Sequence, residues 1–492
     1  MLLKFCIPVF MISLSLLSCS EPINHANMVS SEIDTLVMSV ELNPYNIAPL
    51  SAILHLYSST PVSLTVRVIG KYQDNLVYSF KECKSSHNVP VLGLYPDYNN
   101  ELVVCSVNAQ QEVICERSLF IQTAPVSVEL PVVEIIVSAS EPAITDLYFL
   151  EYRSEFNVPF VIDNHGEIRW YLDIKDMARE PFVSDNQTFI YSASSYKPYF
   201  YRYSWTGKAD SVSLPPSLKY LHHNFSFAEN SFFVPAEGTS GESFVAEFDY
   251  KGNLLKSWDI NKIVKKFLPF NQTLVYPYND WLHINSIIPS DDLKSLIISS
   301  RQNIGLMKID YESGDINWIL GDTGRTWYDY PELRNLALLA ENNSEYPLGQ
   351  HSPLLTENQE LLLLDNGFEG YGNSRAGMVN GGRGYSRIAR YSVDERNRTF
   401  KQVMEYGKER GIELYSRLGG NVSIDPQTGN YTALFGMITG TDPGVPENTM
   451  GRIVEISADG NLLFEAKLVA SDPSQIFYRA EKLNIENLIN QK

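Results

Sequence analysis

The chain has 492 residues, 44% of them hydrophobic and 20% charged, enough for two or three domains or for one large repeat array plus a smaller module. Its formal net charge of −19 excludes nucleic acid as a partner, because phosphate binding wants a basic surface. An anionic substrate would have to be met by local arginines rather than by the field of the whole molecule.

The N-terminus, "MLLKFCIPVFMISLSLLSCS", sets one lysine before a short apolar run. The run is too short and too early for a spanning helix and reads as a secretory signal over 1–18. Its "LLSC" ending is similar to a bacterial lipobox, which would make Cys19 the lipidated first residue of the mature chain. The alternative is an ordinary signal peptide with an incidental cysteine. No other segment is long and apolar enough to span a membrane. Residues 19–32 are polar and patternless, a tether.

Residues 33–125 carry short alternating runs: "LVMSVEL", "SAILHLYS", "VSLTVRVIG", "LVYSF", "LVVCSVN" and "VICERSLFIQT". Such runs, separated by turns at regular spacing, predict a small antiparallel β-sandwich. In an oxidising exterior Cys105 and Cys115 could pair across their hairpin. His87, in "SSHNVPVLGLYPD", reads as structural. A linker over 126–142 follows.

From residue 143 to 492 the sequence repeats. "VIDNHGEIRWYL", "RYSWTGKADSVSL", "EFDYKGNLLKSWDI", "KIDYESGDINWIL", "RYSVDERNRTFKQVMEYG" and "EISADGNLLFEAKLV" each read as strand, polar turn, strand. Other hairpins lie between them. Two hairpins per unit and six units predict a six-bladed β-propeller, so the fold class is all-β. The 12% aromatic content, with 29 tyrosines, leans the same way. "DIKDMA", "NKIVKKF" and "YPELRNLALLAENN" are candidates for short helices in loops.

The inner hairpins of three neighbouring units open with "LHHN", "LHIN" and "QHSP". In a propeller this sets His222 or His223, His283 and His351 near the mouth of the central channel. Within "DWLHINSIIPSDDLKSLIISSRQN" the turn lies near Asp292, so His283 and Arg301 fall opposite each other. Asn285, two residues on, shares the face of His283. By the same count Asp365 falls opposite His351, a weak candidate for an orienting group. A three-histidine metal site is disfavoured, because Arg301 would repel a cation and no H-x-H or HExxH pattern is present. Arginine and imidazoles suit a tetrahedral oxyanion instead, and one neutral histidine can attack such a group and carry it. With no phosphate loop and no acidic metal site, a sulfuryl group fits better than a phosphoryl group.

With these motifs in place, the chain resembles the bacterial arylsulfate sulfotransferases over nearly its whole mature length. "LNPYNIAPLSA" and "HNVPVLGLYPD" look like that family's N-terminal domain, and "DWLHINSI…IISSR" and "GQHSPLL…LLLLDNG" like its propeller core. The resemblance implies transfer of a sulfuryl group from a phenolic sulfate ester to a phenol, without a nucleotide donor or another cofactor, in a ping-pong cycle through a sulfohistidine. It implies His351 as the nucleophile. His283, Asn285 and Arg301 would hold the sulfuryl oxygens, with His222 or His223 completing the site and helping to protonate the leaving phenolate. Aligning "LHHN" on "LHIN" favours His222. The resemblance also implies a homodimer. With the lipobox it implies a periplasmic protein anchored by lipid to a bacterial membrane, the outer one in preference. Two departures stand out: no cysteine lies near the site, and asparagine follows the paired histidines where aspartate is expected. A non-catalytic anion-binding propeller and a sulfatase-like hydrolase are the rival readings.

Overall fold

The computed structural model describes residues 37–72, 74–108, 110, 112–138, 146–153, 157–174, 182–185, 188–193, 197–238, 241–269, 281–368, 382–438, 450–471, 475–483 and 485–489. Cys19, with the signal and tether segments, lies outside the described residues.

The N-terminal unit is an antiparallel sheet of Val37–Leu42, Ala52–Val68, Leu76–Val91, Asn99–Val107 and Val113–Gln122. Two runs that read as separate strands, "SAILHLYS" and "VSLTVRVIG", are one 17-residue strand. Its first half pairs with Val37–Leu42 and its second half with Asn99–Val107, while Leu76–Val91 flanks both halves. The "SSTP" between the runs is absorbed by a register shift rather than a turn. His87 is structural, as expected: its Nε2 lies 2.9 Å from Val62 O and 3.0 Å from Lys84 O. Cys105 pairs with Glu116 and Ser106 with Cys115, so the two cysteines are not cross-strand partners.

Beyond this unit the chain forms a β-propeller, in which the described residues make six sheets of four or five strands, antiparallel except where the short strand Leu339–Ala340 pairs in parallel with Thr399–Tyr406. Their innermost strands are Phe182–Ser184, Leu218–Leu221, Ile284–Pro289, His351–Leu355, Asn421–Ile424 and Ile476–Leu483. All six repeated segments fall on the outer hairpins. The ring is closed by exchange between distant parts of the chain. The C-terminal strand Ile476–Leu483 is the inner strand of a sheet completed by Leu147–Arg153, Asn157–Asp163 and Ile168–Tyr171. The stretch read as a linker carries Val132–Val137, which adds a fifth strand to the outer edge of the preceding sheet by pairing with Leu462–Val469.

Of the expected helices, Ile260–Lys265 forms, with the Asp259 side chain accepting from Lys262 N–H as its cap. Only Pro331–Arg334 of "YPELRNLALLAENN" is helical, and part of "DIKDMA" lies outside the described residues.

The two units share one apolar core, in which Leu92 and Leu94 pack with Trp170 and Trp205. A buried arginine pins the seam. Arg169 donates from Nε and Nη2 to Gly93 O (2.9 and 2.7 Å) and from Nη1 to Asp163 (2.9 Å), and its guanidinium lies 3.9 Å from the Tyr95 ring centre. Lys71 and Tyr72 reach across to Glu167 at 2.8 and 3.0 Å.

Candidate active site

Regular strands would alternate their side chains between the two faces of a blade. At each histidine motif the inner strand breaks that regularity. Leu218–Leu221 and Ser226–Phe227 both pair with Ser231–Gly238, and His222 to Phe225 bulge out between them. In Ile284–Pro289 the register shifts at Asn285, and in His351–Leu355 it shifts between His351 and Leu354. His223, His283 and Ser352 sit at φ of +63°, +50° and +46°, in left-handed conformations costly for such residues. Bulges re-aim side chains and cluster near active sites. Here three of them bring histidines of neighbouring sheets together.

His283 and Arg301 are opposite each other, as the hairpin count predicts, and Arg301 N–H donates to His283 O at 3.1 Å. His223 bridges the sheets. Its Nε2 lies 3.1 Å from His283 Nε2, and its Nδ1 lies 2.6 Å from Nδ1 of His222. The ring of Tyr478 adjoins both His223 and His351, at centroid distances of 6.3 and 6.4 Å. His223 is therefore the member of "LHHN" that faces the cluster, and His222 stands behind it, contrary to the alignment with "LHIN". His222 is 2% exposed, and its Nε2 is buried without a hydrogen-bond partner.

His351 is buried at the start of its strand. Its Nδ1 is 2.7 Å from Asn366 Oδ1 and 3.1 Å from Gly349 O. Asn366 donates its Nδ2 to Ser416 O (2.8 Å) and Gly419 O (2.9 Å), which fixes its oxygen as the atom facing the imidazole. Both neighbours of Nδ1 are acceptors, so Nδ1 carries the proton and Nε2 keeps its lone pair. Desolvation, then the positive charge of Arg301, pulls the His351 pKa down to about 3 against the opposing pull of Asn366. Desolvation, followed by the charges of His283, His222 and His351, likewise holds His223 well below the usual imidazole range. Both rings are neutral near pH 7.

Asp365 is not the orienting group. The bulge after His351 moves the register by one, so His351 pairs with Leu364. The Asp365 carboxylate is buried elsewhere, accepting from Leu348 N–H, Arg383 and Arg387 at 2.8, 2.9 and 3.0 Å. Asn285 donates to Gln350 O at 2.7 Å and so ties the His283 strand to the residue before His351. Gln350 in turn donates to Ser300 O at 3.0 Å, beside Arg301.

Sequence reasoning missed Asn366, Tyr478, Gln350 and Arg153, whose guanidinium lies 4.5 Å from the Tyr478 ring centre. Asn366 was within reach as the neighbour of Asp365 in "LLLLDNG". Tyr478 and Arg153 carried no signal, because the strands that bring them are joined only by ring closure. Behind the cluster stands Glu237. Desolvation raises its pKa, but hydrogen bonds from Lys219 and Tyr220 and the charges of Lys219 and His222 hold it below the usual range.

An arylsulfotransferase (ASST) family model matches residues 132–479, and a model of the arylsulfotransferase Ig-like domain matches residues 39–122. Arylsulfate sulfotransferase AssT of Escherichia coli O6:H1 is 22% identical over 90% of this chain and 92% of its own, and AssT of Lelliottia amnigena matches to the same extent. Among solved structures, a streptogramin B lyase aligns over 82% of this chain and 97% of its own with 12% identity and a TM-score of 0.33. The Cps50 (Swd1) β-propeller domain of Myceliophteria thermophila aligns over 72% and 100% with 11% identity and a TM-score of 0.35. The family match spans most of the chain, including every histidine of the cluster, and the protein belongs to the arylsulfotransferase family: it is a β-propeller sulfotransferase with an Ig-like N-terminal domain.

Proposed function

We propose that the enzyme moves a sulfuryl group from a phenolic sulfate ester to an acceptor phenol through a covalent intermediate on His351. The observation that carries this reading is the locked tautomer: with Nδ1–H held by Asn366 and Gly349, the Nε2 lone pair of a neutral, buried imidazole is the nucleophile. Nε2 attacks sulfur, the S–O(aryl) bond breaks, and its electron pair leaves on the phenolate oxygen. The sulfoimidazolium that results keeps its proton on Nδ1, which goes on donating to Asn366 Oδ1. In the second half-reaction the acceptor attacks sulfur through its phenolate oxygen, its proton having passed to solvent, and the S–N bond returns its electrons to Nε2.

Arg301 and His283 supply donors for the sulfuryl oxygens, where charge builds up in the transition state. The Arg301 charge that depresses the His351 pKa is close enough to act there. Asn285 holds the two strands in register. The lipobox-like "LLSC" supports lipidation at Cys19 and a place on the periplasmic face of a bacterial membrane, and the family resemblance supports a homodimer. Loss of a Cys19→Ala variant from the membrane fraction and a solution mass of twice the chain check these two.

The test is release of nitrophenolate from 4-nitrophenyl sulfate with and without phenol, together with identification of the product. Release that depends on phenol and yields phenyl sulfate supports transfer, and release indifferent to phenol points to hydrolysis. His351→Ala should abolish turnover with an unchanged thermal midpoint. Donor alone should leave one sulfuryl group on the unaltered protein, at His351 by peptide mass. A variant that still turns over overturns the mechanism.

A further inference from the structure

The site gathers more positive charge than one sulfuryl group requires. A sulfate monoester carries a single negative charge, and Arg301 stands beside His351 to meet it. Two further arginines border the same cluster from other parts of the ring. Arg153 ends the strand Leu147–Arg153, and its guanidinium lies 4.5 Å from the ring centre of Tyr478. Tyr478 owes its place to a register shift between Phe477 and Arg479, a fourth bulge beside the site. Glu151, two residues before Arg153, accepts from its Nε at 3.4 Å. The Arg153 charge still reaches the cluster: after desolvation and the neighbouring imidazoles, it disfavours a proton on His223. Its side chain is 25% exposed, open to a ligand from the solvent side.

Arg417 comes from the segment that holds Asn366. Ser416 O and Gly419 O accept from Asn366 Nδ2 at 2.8 and 2.9 Å, and Arg417, between them in sequence, sets its guanidinium 5.8 Å from the Phe368 ring centre. The same segment lies against Tyr478, for a Cβ on Gly419 would stand 3.3 Å from Tyr478 Cδ2. Asn366, Arg417, Gly419, Tyr478 and Arg153 thus form one rim beside His351. A guanidinium stacked on an aromatic ring keeps its charge and presents its N–H groups in a fork suited to carboxylate. The net charge of −19 sets the field of the whole molecule against any substrate with a second negative group, so that group has to be met locally.

We propose that Arg153 and Arg417 form a second anion subsite, and that the substrates this enzyme prefers are phenols, and sulfate esters of phenols, that carry a carboxylate of their own. This rests on the reading of His351 as the sulfuryl carrier. The aryl ring lies against Tyr478, which adjoins both His351 and His223. Its sulfate end is at His351 and Arg301, and the carboxylate at its other end meets the two guanidiniums. The carboxylate takes no part in making or breaking bonds, so its binding serves to select and orient the ester. Donor and acceptor pass through one place in a ping-pong cycle, so the same preference holds in both half-reactions.

The test compares two donors whose phenols are nearly equal in basicity, 4-methylphenyl sulfate and the sulfate ester of 4-hydroxyphenylacetate, with the full chain and phenol as acceptor. The unaltered enzyme should favour the carboxylate ester by about tenfold in kcat/KM, the order that one charge-assisted hydrogen bond supplies. Equal or lower kcat/KM for that ester overturns the subsite. In Arg153→Met and in Arg417→Met the ratio should fall towards one, and Arg153→Lys and Arg417→Lys should keep part of it. A ratio retained in either methionine variant, even with slower turnover of both esters, assigns that arginine to packing alone and overturns the pairing. If the methionine variants do not fold, the ratio of the unaltered enzyme at low and at high salt decides. It should shrink as salt rises, and an advantage indifferent to salt overturns an electrostatic subsite. Absence of sulfated phenol from either ester would defeat the reading of His351 itself, so the two failures are distinct.

Discussion

At His351 two demands meet. A nucleophile must keep its lone pair, and a site for an anionic ester needs positive charge close by. Arg301 meets both, since the charge suited to sulfuryl oxygens also disfavours a proton on the imidazole. Asn366 suits this arrangement because its oxygen orients the ring without a full negative charge that would draw a proton on. The pH consequence can be signed. The folded pKa lies at about 3 and the unfolded value at 6.5, so the unfolded chain binds the extra proton first as pH falls. This contribution to stability is complete above pH 6.5 and is lost progressively as pH drops from there towards 3. Between pH 7 and 4.5 the loss should amount to about 2.5 kcal/mol, from about 1.4 kcal/mol per pKa unit. Urea unfolding of His351→Gln should therefore show a midpoint that drops less over that range than the unaltered protein's. Equal drops would mean that His351 titrates normally. The choice between Asp365 and Asn366 shows where the sequence stops being readable at this scale. The equal-distance count is correct for Leu354 and Leu355, opposite Leu362 and Leu361, and fails by one at His351 because of a bulge that no local residue pattern announces.

Strands are where the sequence was most legible and where its limits are most instructive. Alternation and polar turns located all six outer hairpins, because each obeys period-two patterning over a half-buried surface. The opposition of His283 and Arg301 is read from the turn, and it holds because the register shift at Asn285 moves the pairing by one residue. Pairings between distant segments had no such signal: Val132–Val137 reads as a linker until Leu462–Val469 lies beside it. The bulge at His351 also depends on the backbone before it. Gly349 has φ +65°, and a Cβ there would stand 1.9 Å from Phe368 O, a backbone atom that cannot swing aside. Gly349→Ala is thus strained twice. It should destabilise the fold by more than about 1 kcal/mol and lower transfer further by displacing Gln350, whose carbonyl Asn285 holds. Thermal midpoint and kcat measured together check this. An alanine variant with an unchanged midpoint would show that the turn tolerates rearrangement.

Over the whole molecule, the Ig-like unit is joined to the propeller by a shared core and by Arg169 rather than by a flexible hinge. Removing the guanidinium leaves Gly93 O without those donors and Asp163, already raised in pKa by its burial, without its cation. Breaking a buried pair by deleting one partner costs about 3–5 kcal/mol. Arg169→Met should lower the unfolding midpoint accordingly and make the seam near Gly93 more open to limited proteolysis, while the propeller's chemistry persists under conditions where the variant stays folded. Proteolysis unchanged from the parent would mean that the apolar core alone holds the seam.

Ring closure has a further consequence, for the order in which the protein comes into being. Tyr478, which walls both His223 and His351, stands on the strand that enters the last sheet, paired with residues 147–153 laid down more than three hundred positions earlier. A chain emerging N-terminus first holds the histidines, the arginine and the asparagine in place of synthesis long before it holds a closed ring. Leu147–Arg153 must wait with its inner edge unpaired until the final strand arrives. The wall that Tyr478 gives His223 and His351 is therefore completed only when Ile476–Leu483 has docked, and a chain cut before that strand should show less transfer than the full chain in the nitrophenolate assay.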